Sequence, residues 1–332
     1  MMMIIPFAAF VFLFLPNTSC VASSPFRRSR PFALLQLVPR GGGDDQHAMT
    51  KFGRISDDEY ILTPTQIDAF HTTGCVTISN VLTEDEVAEL QVIFDKFMSG
   101  EIPVPGKDFC DMSKPFGIPR EDWSIINCML PTTYYPEWVG NIYERVTASI
   151  VQQLFPNEPM VKDYDQLLNK LPNKSDAIFA WHQDMGYWPS SAVLNLTTTS
   201  TATFSLAIDD SDQENGCLRY VRNSGFDKTL RPHVPLVGES RDDGHALTIN
   251  VHEDEEVQYA PALRGSITIH DEYVVHGSSG NTSPRQRRTY VLAYRAKDIV
   301  DAERRIGFSH SHNDNTNWDT FDTKTDGNQS SV

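Results

Sequence analysis

A mainly β domain, a sandwich or barrel with helices added at its N-terminal end, is the fold class predicted by three features of the sequence. From about Met160 onward the chain falls into short runs rich in β-branched and aromatic residues, separated by Gly, Asn, Asp and Pro, the pattern of strands joined by turns. Upstream, two capping boxes open stretches whose apolar residues recur at helical spacing. No glycine-rich phosphate loop stands between a strand and a helix, which argues against a βαβ sheet of the dinucleotide-binding or P-loop kind. Of the 332 residues, 40% are apolar and 10% aromatic, enough for a real core, so wholesale disorder, collagen-like repeats and a small disulfide scaffold are excluded. The length can hold two domains, but all-β barrels with helical additions reach it as one.

In chain order, residues 4–15 are almost wholly apolar and end at Pro16 before a small, polar run. Residues 1–23 therefore read as a signal peptide. About a dozen apolar residues at ~1.5 Å each reach only about 18 Å, short of the ~30 Å hydrocarbon core, so no stable membrane span is expected. Residues 24–50 form a transit-like or linker segment. No acidic residue precedes Asp44, and Arg27, Arg28, Arg30 and Arg40 give residues 1–43 a charge of +4. Of 28 Lys+Arg, the other 24 face 44 Asp+Glu, so the remaining chain carries −20. A body this acidic excludes a general nucleic-acid binder, which needs a basic footprint. The leader resembles the bipartite presequences of algae whose plastids lie inside the endomembrane system, and it equally fits a secretory signal followed by a basic linker; both send the chain into the secretory pathway. Cys20, Cys75, Cys110, Cys128 and Cys217 contain no CxxC pair and outline neither a zinc ribbon nor a disulfide framework. Glycosylation triplets occur at Asn173, Asn195, Asn281 and Asn328.

The domain is expected over 51–308. Thr63-Pro64-Thr65-Gln66 opens a helix that ends at His71-Thr72-Thr73-Gly74, where His71 reads as a helix-end residue. A strand over 75–79 follows, and Thr83 to Glu86 caps a second helix bearing Val87, Leu90, Ile93, Phe94 and Phe97. Strands are expected over 160–168, 178–182, 202–208, 217–221, 246–252, 266–270, 273–276 and 288–294. The polar tail 309–332, without apolar periodicity, is expected to be disordered.

The chemistry concentrates in two segments. In Trp181-His182-Gln183-Asp184-Met185-Gly186-Tyr187-Trp188, His182 and Asp184 lie two apart on an extended strand and share a face. Further on, His276 ends an apolar run, a Gly/Ser/Asn/Pro turn follows, and Arg285, Arg287 and Arg288 open the next strand. Two imidazoles and one carboxylate form the facial triad that leaves metal positions open and suits non-haem Fe(II). An arginine on the adjacent strand offers a bidentate fork for the far carboxylate of a metal-chelating 2-oxo acid.

Both segments resemble the signature of the phytanoyl-CoA dioxygenase family of Fe(II)/2-oxoglutarate oxygenases. So do Leu62 to Gln66, Thr73 to Val76, Val81 to Thr83, Phe204 to Asp210 and Glu214-Asn215-Gly216-Cys217-Leu218. The resemblance covers nearly the whole body and implies a double-stranded β-helix (jelly-roll, cupin-like) barrel with the N-terminal helices packed outside it. It implies Fe(II) held by His182, Asp184 and His276. Its co-substrate arginine matches Arg287, with Arg288 as the fallback, since neighbours on a strand face opposite ways and only one can point inward. Ser278 matches a hydroxyl that contacts 2-oxoglutarate in relatives, and Asn169 is a further candidate for that task. The activity implied is hydroxylation of a small organic or lipid-like substrate by dioxygen, with 2-oxoglutarate converted to succinate and carbon dioxide. Because Asp184 is retained, hydroxylation is favoured over halogenation.

One departure stands in the turn after Leu218, where Arg222-Asn223-Ser224-Gly225 replaces the family's usual Pro-Gly-Ser-His near the substrate mouth. Arg219, Arg222, Lys228 and Arg231 cluster there as an acyl-CoA patch or as ordinary surface charge. His233, His245, His252 and His270 read as hydrogen-bonded histidines outside the metal triad. The run from His252 to Val257 reads as a solvated turn lacking the ligand spacing of an EF-hand. Trp181, Tyr187 and Trp188 fit a substrate wall or core packing. Two other readings of the sequence are a catalytically silent jelly-roll binding or regulatory protein and a zinc cupin-type isomerase or hydrolase. The sequence assigns neither a particular substrate nor an oligomeric state.

Overall fold

The computed structural model of the chain describes residues 52–196 and 199–314; the expected signal peptide, the 24–50 segment and the tail beyond 314 lie outside the described residues. A hairpin of β1 (Gly53–Ser56) and β2 (Glu59–Ile61) precedes α1 (Pro64–Thr73). Thr63 and Gln66 close the expected capping box, and the helix stops at Gly74, φ 75°, where a left-handed residue is needed. His71 sits in the last turn and bonds the Leu154 carbonyl at 2.9 Å. Then come β3 (Cys75–Ile78), α2 (Glu84–Ser99), β4 (Phe109–Asp111), β5 (Ile125–Met129), α3 (Pro131–Tyr134) and α4 (Ile142–Leu154). The remaining elements are β6 (Met160–Lys170), β7 (Phe179–His182), α5 (Ser191–Leu194), β8 (Thr201–Ala207), β9 (Leu218–Val221), β10 (Val234–Pro235) and β11 (Leu247–Thr248). They end with β12 (Val257–Ala260), β13 (Ile267–His270), β14 (His276–Ser278), β15 (Arg287–Ala296) and α6 (Lys297–Arg305).

Two antiparallel sheets make the barrel. The larger has the order β3-β13-β8-β15-β6-β5-β4 and the smaller β12-β9-β14-β7, with most neighbours far apart in sequence, as in a jelly roll. The larger sheet is buried on both faces. Outward, Leu167, Phe204, Leu206, Ile267, Ile269 and Leu292 pack against Phe94 and Phe97 of α2 and Tyr143, Val146 and Ile150 of α4 in one apolar core. That covering explains why every residue of β8 and β15 is buried. The inner face looks into the cavity between the sheets. No helix among the described residues is long and apolar enough to cross a membrane.

Several boundaries differ from expectation. The run at 273–276 becomes a strand only at His276, because the Asp271 side chain accepts the Tyr273 and Val274 amides at 2.9 and 3.0 Å and holds a turn there. The stretch 246–252 pairs only over Leu247–Thr248.

The expectation of disorder from residue 309 is corrected for 309–314, which are ordered against the barrel. Buried Asp108 accepts from the Ser311 hydroxyl at 2.7 Å, the His312 amide at 2.5 Å and the Tyr134 hydroxyl at 2.6 Å. His310 bonds Asp163 at 2.8 Å, inside a buried network in which Arg295 pairs with both Asp163 and Glu303. Asp163, Glu303 and His310 converge closely enough for a metal, but the Arg295 guanidinium already serves as their cation. Polar anchors of this kind leave no apolar period in the sequence. Asp108→Ala removes the shared acceptor and is expected to cost about 2 kcal/mol. Limited proteolysis should then cut first near residue 309; an unchanged digestion pattern would dissociate Asp108 from this docking.

Candidate metal centre and its cavity

The site begins with strand register. β14 pairs with β7 so that His276 stands directly opposite His182, which brings two side chains on one face into contact range. Their rings lie 4.2 Å apart, centroid to centroid. Gln183 continues the extended backbone, φ −118° and ψ 137°, before Asp184 opens a short 3-10 turn, so His182 and Asp184 share a side as the spacing predicts. Gln183 points the other way and is tied down, its amide nitrogen donating to the Thr229 and Tyr273 carbonyls at 2.8 and 2.7 Å while its oxygen accepts from the Arg231 amide at 2.8 Å.

Hydrogen bonds orient each ligand atom. The Nδ1 of His182 faces the Ala180 carbonyl at 2.7 Å, and that of His276 the Val274 carbonyl at 2.9 Å. Since a carbonyl only accepts, both Nδ1 atoms carry the proton and both Nε2 atoms present lone pairs. Burial holds both imidazoles below their ordinary pKa, in His276 with help from the neighbouring rings. Burial alone would raise the Asp184 carboxyl; His276, His270 and His182 outweigh it and keep it below the usual range. Thr203 donates to Asp184 Oδ2 at 2.7 Å and His270 Nε2 lies 3.3 Å from the same oxygen. Oδ1 is left facing His182 Nε2 at 3.7 Å and His276 Nε2 at 3.5 Å. All three ligand atoms lie within 4.8 Å of one another and are buried. Two neutral imidazole lone pairs and one ionised carboxylate oxygen fit a non-haem Fe(II) donor set.

The rest of the cavity sorts the sequence candidates. Ser278 and Arg287 line it, with Tyr187 and Trp188. Arg288 faces outward instead, pairing with Asp209 and with Asp95 of α2, each at 2.7 Å. Asn169 is corrected as a co-substrate contact. It stands opposite Arg288 on the outer face, with its amide 3.4 Å from Gln286, because the inward residues of β6 are Tyr164, Gln166, Leu168 and Lys170.

Lys170 is the inward residue that sequence reasoning missed. The register places it directly opposite Arg287, and both are buried. The Lys170 ammonium donates to the Ser279 carbonyl and Arg287 Nη1 to the Gly216 carbonyl at 2.9 Å; among the described residues neither has a carboxylate partner in an ion pair. Burial first, then the neighbouring guanidinium groups, pull Lys170 well below its ordinary pKa, and burial also lowers Arg287. Two like charges facing each other in low dielectric call for an anion between them. Gly216 makes room. A Cβ there would meet the Ser279 carbonyl at 2.3 Å and Lys170 Nζ at 3.0 Å, at φ +77°. Gly216→Ala is therefore expected to lower the melting temperature and displace Lys170; calorimetry should show weakened 2-oxoglutarate binding, and unchanged binding would refute that packing role.

Elsewhere, the cationic cluster near the mouth is neutralised locally. Arg222 pairs with Glu256, Lys228 with Asp271 and Arg231 with Glu255, while Arg219 lies 4.2 Å over the Trp181 ring. In the divergent Arg222–Gly225 turn, the Ser224 hydroxyl accepts the Val275 amide at 2.8 Å, bracing the residue before His276. The turn at 253–255 is closed by Glu255, which accepts the His252 amide at 2.8 Å. His233 Nε2 accepts the Gln183 amide at 3.0 Å. Asn281 is buried and bonded to two carbonyls, a poor glycan acceptor.

The chain resembles 2-aminoethylphosphonate dioxygenase of an uncultured bacterium, HF130_AEPn_1, with 28% identity over 132 residues, 39% of this chain and 44% of that protein. It therefore spans less than half the length of that relative. Ectoine dioxygenase of Halomonas elongata is 23% identical over 71% of each chain. Among solved structures, EvdO2 from Micromonospora carbonacea var. aurantiaca, in complex with 2-oxoglutarate, superposes with a TM-score of 0.54 at 21% identity, covering 71% of this chain and 91% of that one; this establishes the jelly-roll fold. The model of the family Phytanoyl-CoA dioxygenase matches residues 70–289, a span that contains the buried triad, Lys170 and Arg287, and the chain belongs to this family of non-haem Fe(II)- and 2-oxoglutarate-dependent oxygenases.

Proposed function

We propose that the protein is a hydroxylase of a small organic substrate. The observation that carries this reading is the pairing, in one cavity, of a buried two-histidine, one-carboxylate triad with two buried cations that have no acid partner among the described residues. His182 Nε2, Asp184 Oδ1 and His276 Nε2 would hold Fe(II). Arg287, with Lys170 across the strand pair, would hold the far carboxylate of 2-oxoglutarate, and Ser278 lies in the same wall. Bound Fe(II) with 2-oxoglutarate and dioxygen supplies the oxidising power, and succinate, carbon dioxide and a hydroxylated C–H are the products. Positioning and exclusion of water remain the protein's part: Thr203 and His270 fix the carboxylate, the Ala180 and Val274 carbonyls fix the imidazoles, and Tyr187 and Trp188 close the wall. A carboxylate in the third ligand position favours hydroxylation over halogenation.

Anaerobic addition of 2-oxoglutarate to the Fe(II)-loaded protein should give the weak visible charge-transfer band of a chelate, and oxygen should then yield succinate. A silent binding protein gives no succinate, and a zinc isomerase or hydrolase turns over without consuming oxygen. A screen for 2-oxoglutarate-dependent gain of one oxygen identifies the substrate. The leader supports entry into the secretory pathway, toward a plastid or the exterior; a fluorescent fusion of residues 1–50 that stays in the cytosol would refute it.

A further inference from the structure

Beside the catalytic cavity lies a group of buried charges that the metal and co-substrate do not use. The side chains of Asp163, Glu303 and Arg295 are fully buried, an arrangement that well-packed apolar residues of similar volume often match or better in stability. Asp163 accepts from Arg295 at 3.3 Å, from Arg304, and from His310 Nε2 at 2.8 Å. Of this group only His310 also lines the cavity, and its side chain is 5% exposed. Its neighbours there are rings: Tyr164 at 4.4 Å, Phe308 at 5.1 Å and Trp188, edge-on, at 6.4 Å. Arg295 lies 4.3 Å over the Trp188 ring, so the same network braces that wall.

The network fixes the His310 tautomer. Burial alone would raise the Asp163 carboxyl; His310, Arg295 and Arg304 outweigh it and keep it below the usual range. A carboxylate only accepts, so His310 Nε2 carries a proton. Two guanidinium groups, Arg295 and Arg304, already match the two acids, which leaves the imidazole neutral. With Nε2 turned to Asp163, Nδ1 is the nitrogen left for the cavity. It holds a lone pair, and no described residue donates to it. A buried, oriented acceptor in a stretch of aromatic wall is a recognition point for a donor.

We infer that His310, held by Asp163, is a specificity-determining residue of the reaction: its Nδ1 accepts a hydrogen bond from a hydroxyl or ammonium group of the substrate, whose apolar body lies against Tyr164 and Trp188. The inference rests on the oxygenase reading of the triad. Trp188 follows the ligand Asp184 by four residues and lines the same cavity, so a substrate hung from His310 along this wall is led toward the metal site. Asp163 acts through His310 as a positioning residue. The substrate class is a small alcohol or amine with an apolar body.

The test uses the protein loaded with Zn(II) and N-oxalylglycine, an unreactive isostere of 2-oxoglutarate, titrated by NMR with cyclohexanol, cyclohexylamine (an ammonium at pH 7) and cyclohexanone, which has no donor. At least one donor is expected to bind more tightly than the ketone, and the stronger of the two identifies the group recognised. That preference should fall about threefold or more in His310→Phe, which keeps a ring but no acceptor, and His310→Gln should keep part of it. In Asp163→Asn the amide oxygen stays with the arginines and its N–H₂ turns to Nε2, so the proton moves to Nδ1 and the preference should shift toward cyclohexanone. A side chain that only packs the wall does not produce that shift. N-oxalylglycine affinity should stay unchanged in all three variants, which also shows that they fold. Failure of the wild type to bind N-oxalylglycine would overturn the oxygenase reading. Normal N-oxalylglycine binding with no preference for either donor, failure to bind them included, or with a preference that survives His310→Phe, would overturn this inference alone.

Discussion

Asp184→Ala is expected to abolish 2-oxoglutarate-dependent succinate formation, lowering kcat by about a thousandfold or more, and to strip Fe(II) from the purified protein. Among the described residues Asp184 is the one carboxylate lining the cavity, and its Oδ1 is the atom turned toward both Nε2 atoms. Two neutral imidazoles alone retain a hard, divalent cation poorly. His182→Ala should behave likewise. Thr203→Val is the informative contrast. It leaves all three ligands in place but removes the 2.7 Å hydrogen bond that holds Oδ2, and outer partners of this kind typically contribute 10–100-fold in metal affinity or activity, roughly. Metal content by elemental analysis and succinate by mass spectrometry check both variants. Turnover by Asp184→Ala at the wild-type rate would remove the triad from the mechanism.

What the sequence made legible, and what it did not, follows the reach of each interaction. The His182–Asp184 pair depends on two residues of extended backbone and could be read locally, as could the capping boxes of α1 and α2. The choice between Arg287 and Arg288 depends on which face of β15 meets α2, a parity that strand pairing decides. The same parity turned the Asn169 assignment into an error of one position, since its neighbour Lys170 points inward. His270, Thr203 and His312 reach the cavity only through β13, β8 and a segment tethered to Asp108 from 204 residues away. No spacing rule reports such contacts. One signal was available for Lys170: a lysine closing an apolar strand run has to snorkel or find a partner, and here it faces a cavity.

Lys170→Met is expected to weaken 2-oxoglutarate binding while stabilising the ligand-free protein, an opposition of signs that a purely structural lysine does not produce. In the ligand-free state Lys170 and Arg287 confront each other with no acid partner among the described residues, and exchanging a buried, unmatched charge for an apolar side chain of similar length is often worth about 1–4 kcal/mol. In the bound state the far carboxylate of 2-oxoglutarate matches both cations, and removing one buried, hydrogen-bonded charge typically costs about 2–5 kcal/mol of binding, or roughly 30- to 4,000-fold. Arg287→Met should weaken binding at least as much. The control ligand is 2-oxopentanoate, which has the same chain without the far carboxylate. Wild-type protein should discriminate strongly against it, and Lys170→Met, with Arg287 alone to meet the far carboxylate, should discriminate less.

The depressed pKa of Lys170 adds a signature in pH. The dianion favours the protonated ammonium, so above the pKa of the ligand-free state binding must take up a proton, and affinity falls as pH rises. Calorimetry in buffers of different ionisation enthalpy should register that uptake in the wild type and lose it in Lys170→Met. A variant that binds 2-oxoglutarate as tightly as the wild type, with the same preference over 2-oxopentanoate, would leave Arg287 as the co-substrate's cation and assign Lys170 to the Ser279 carbonyl alone.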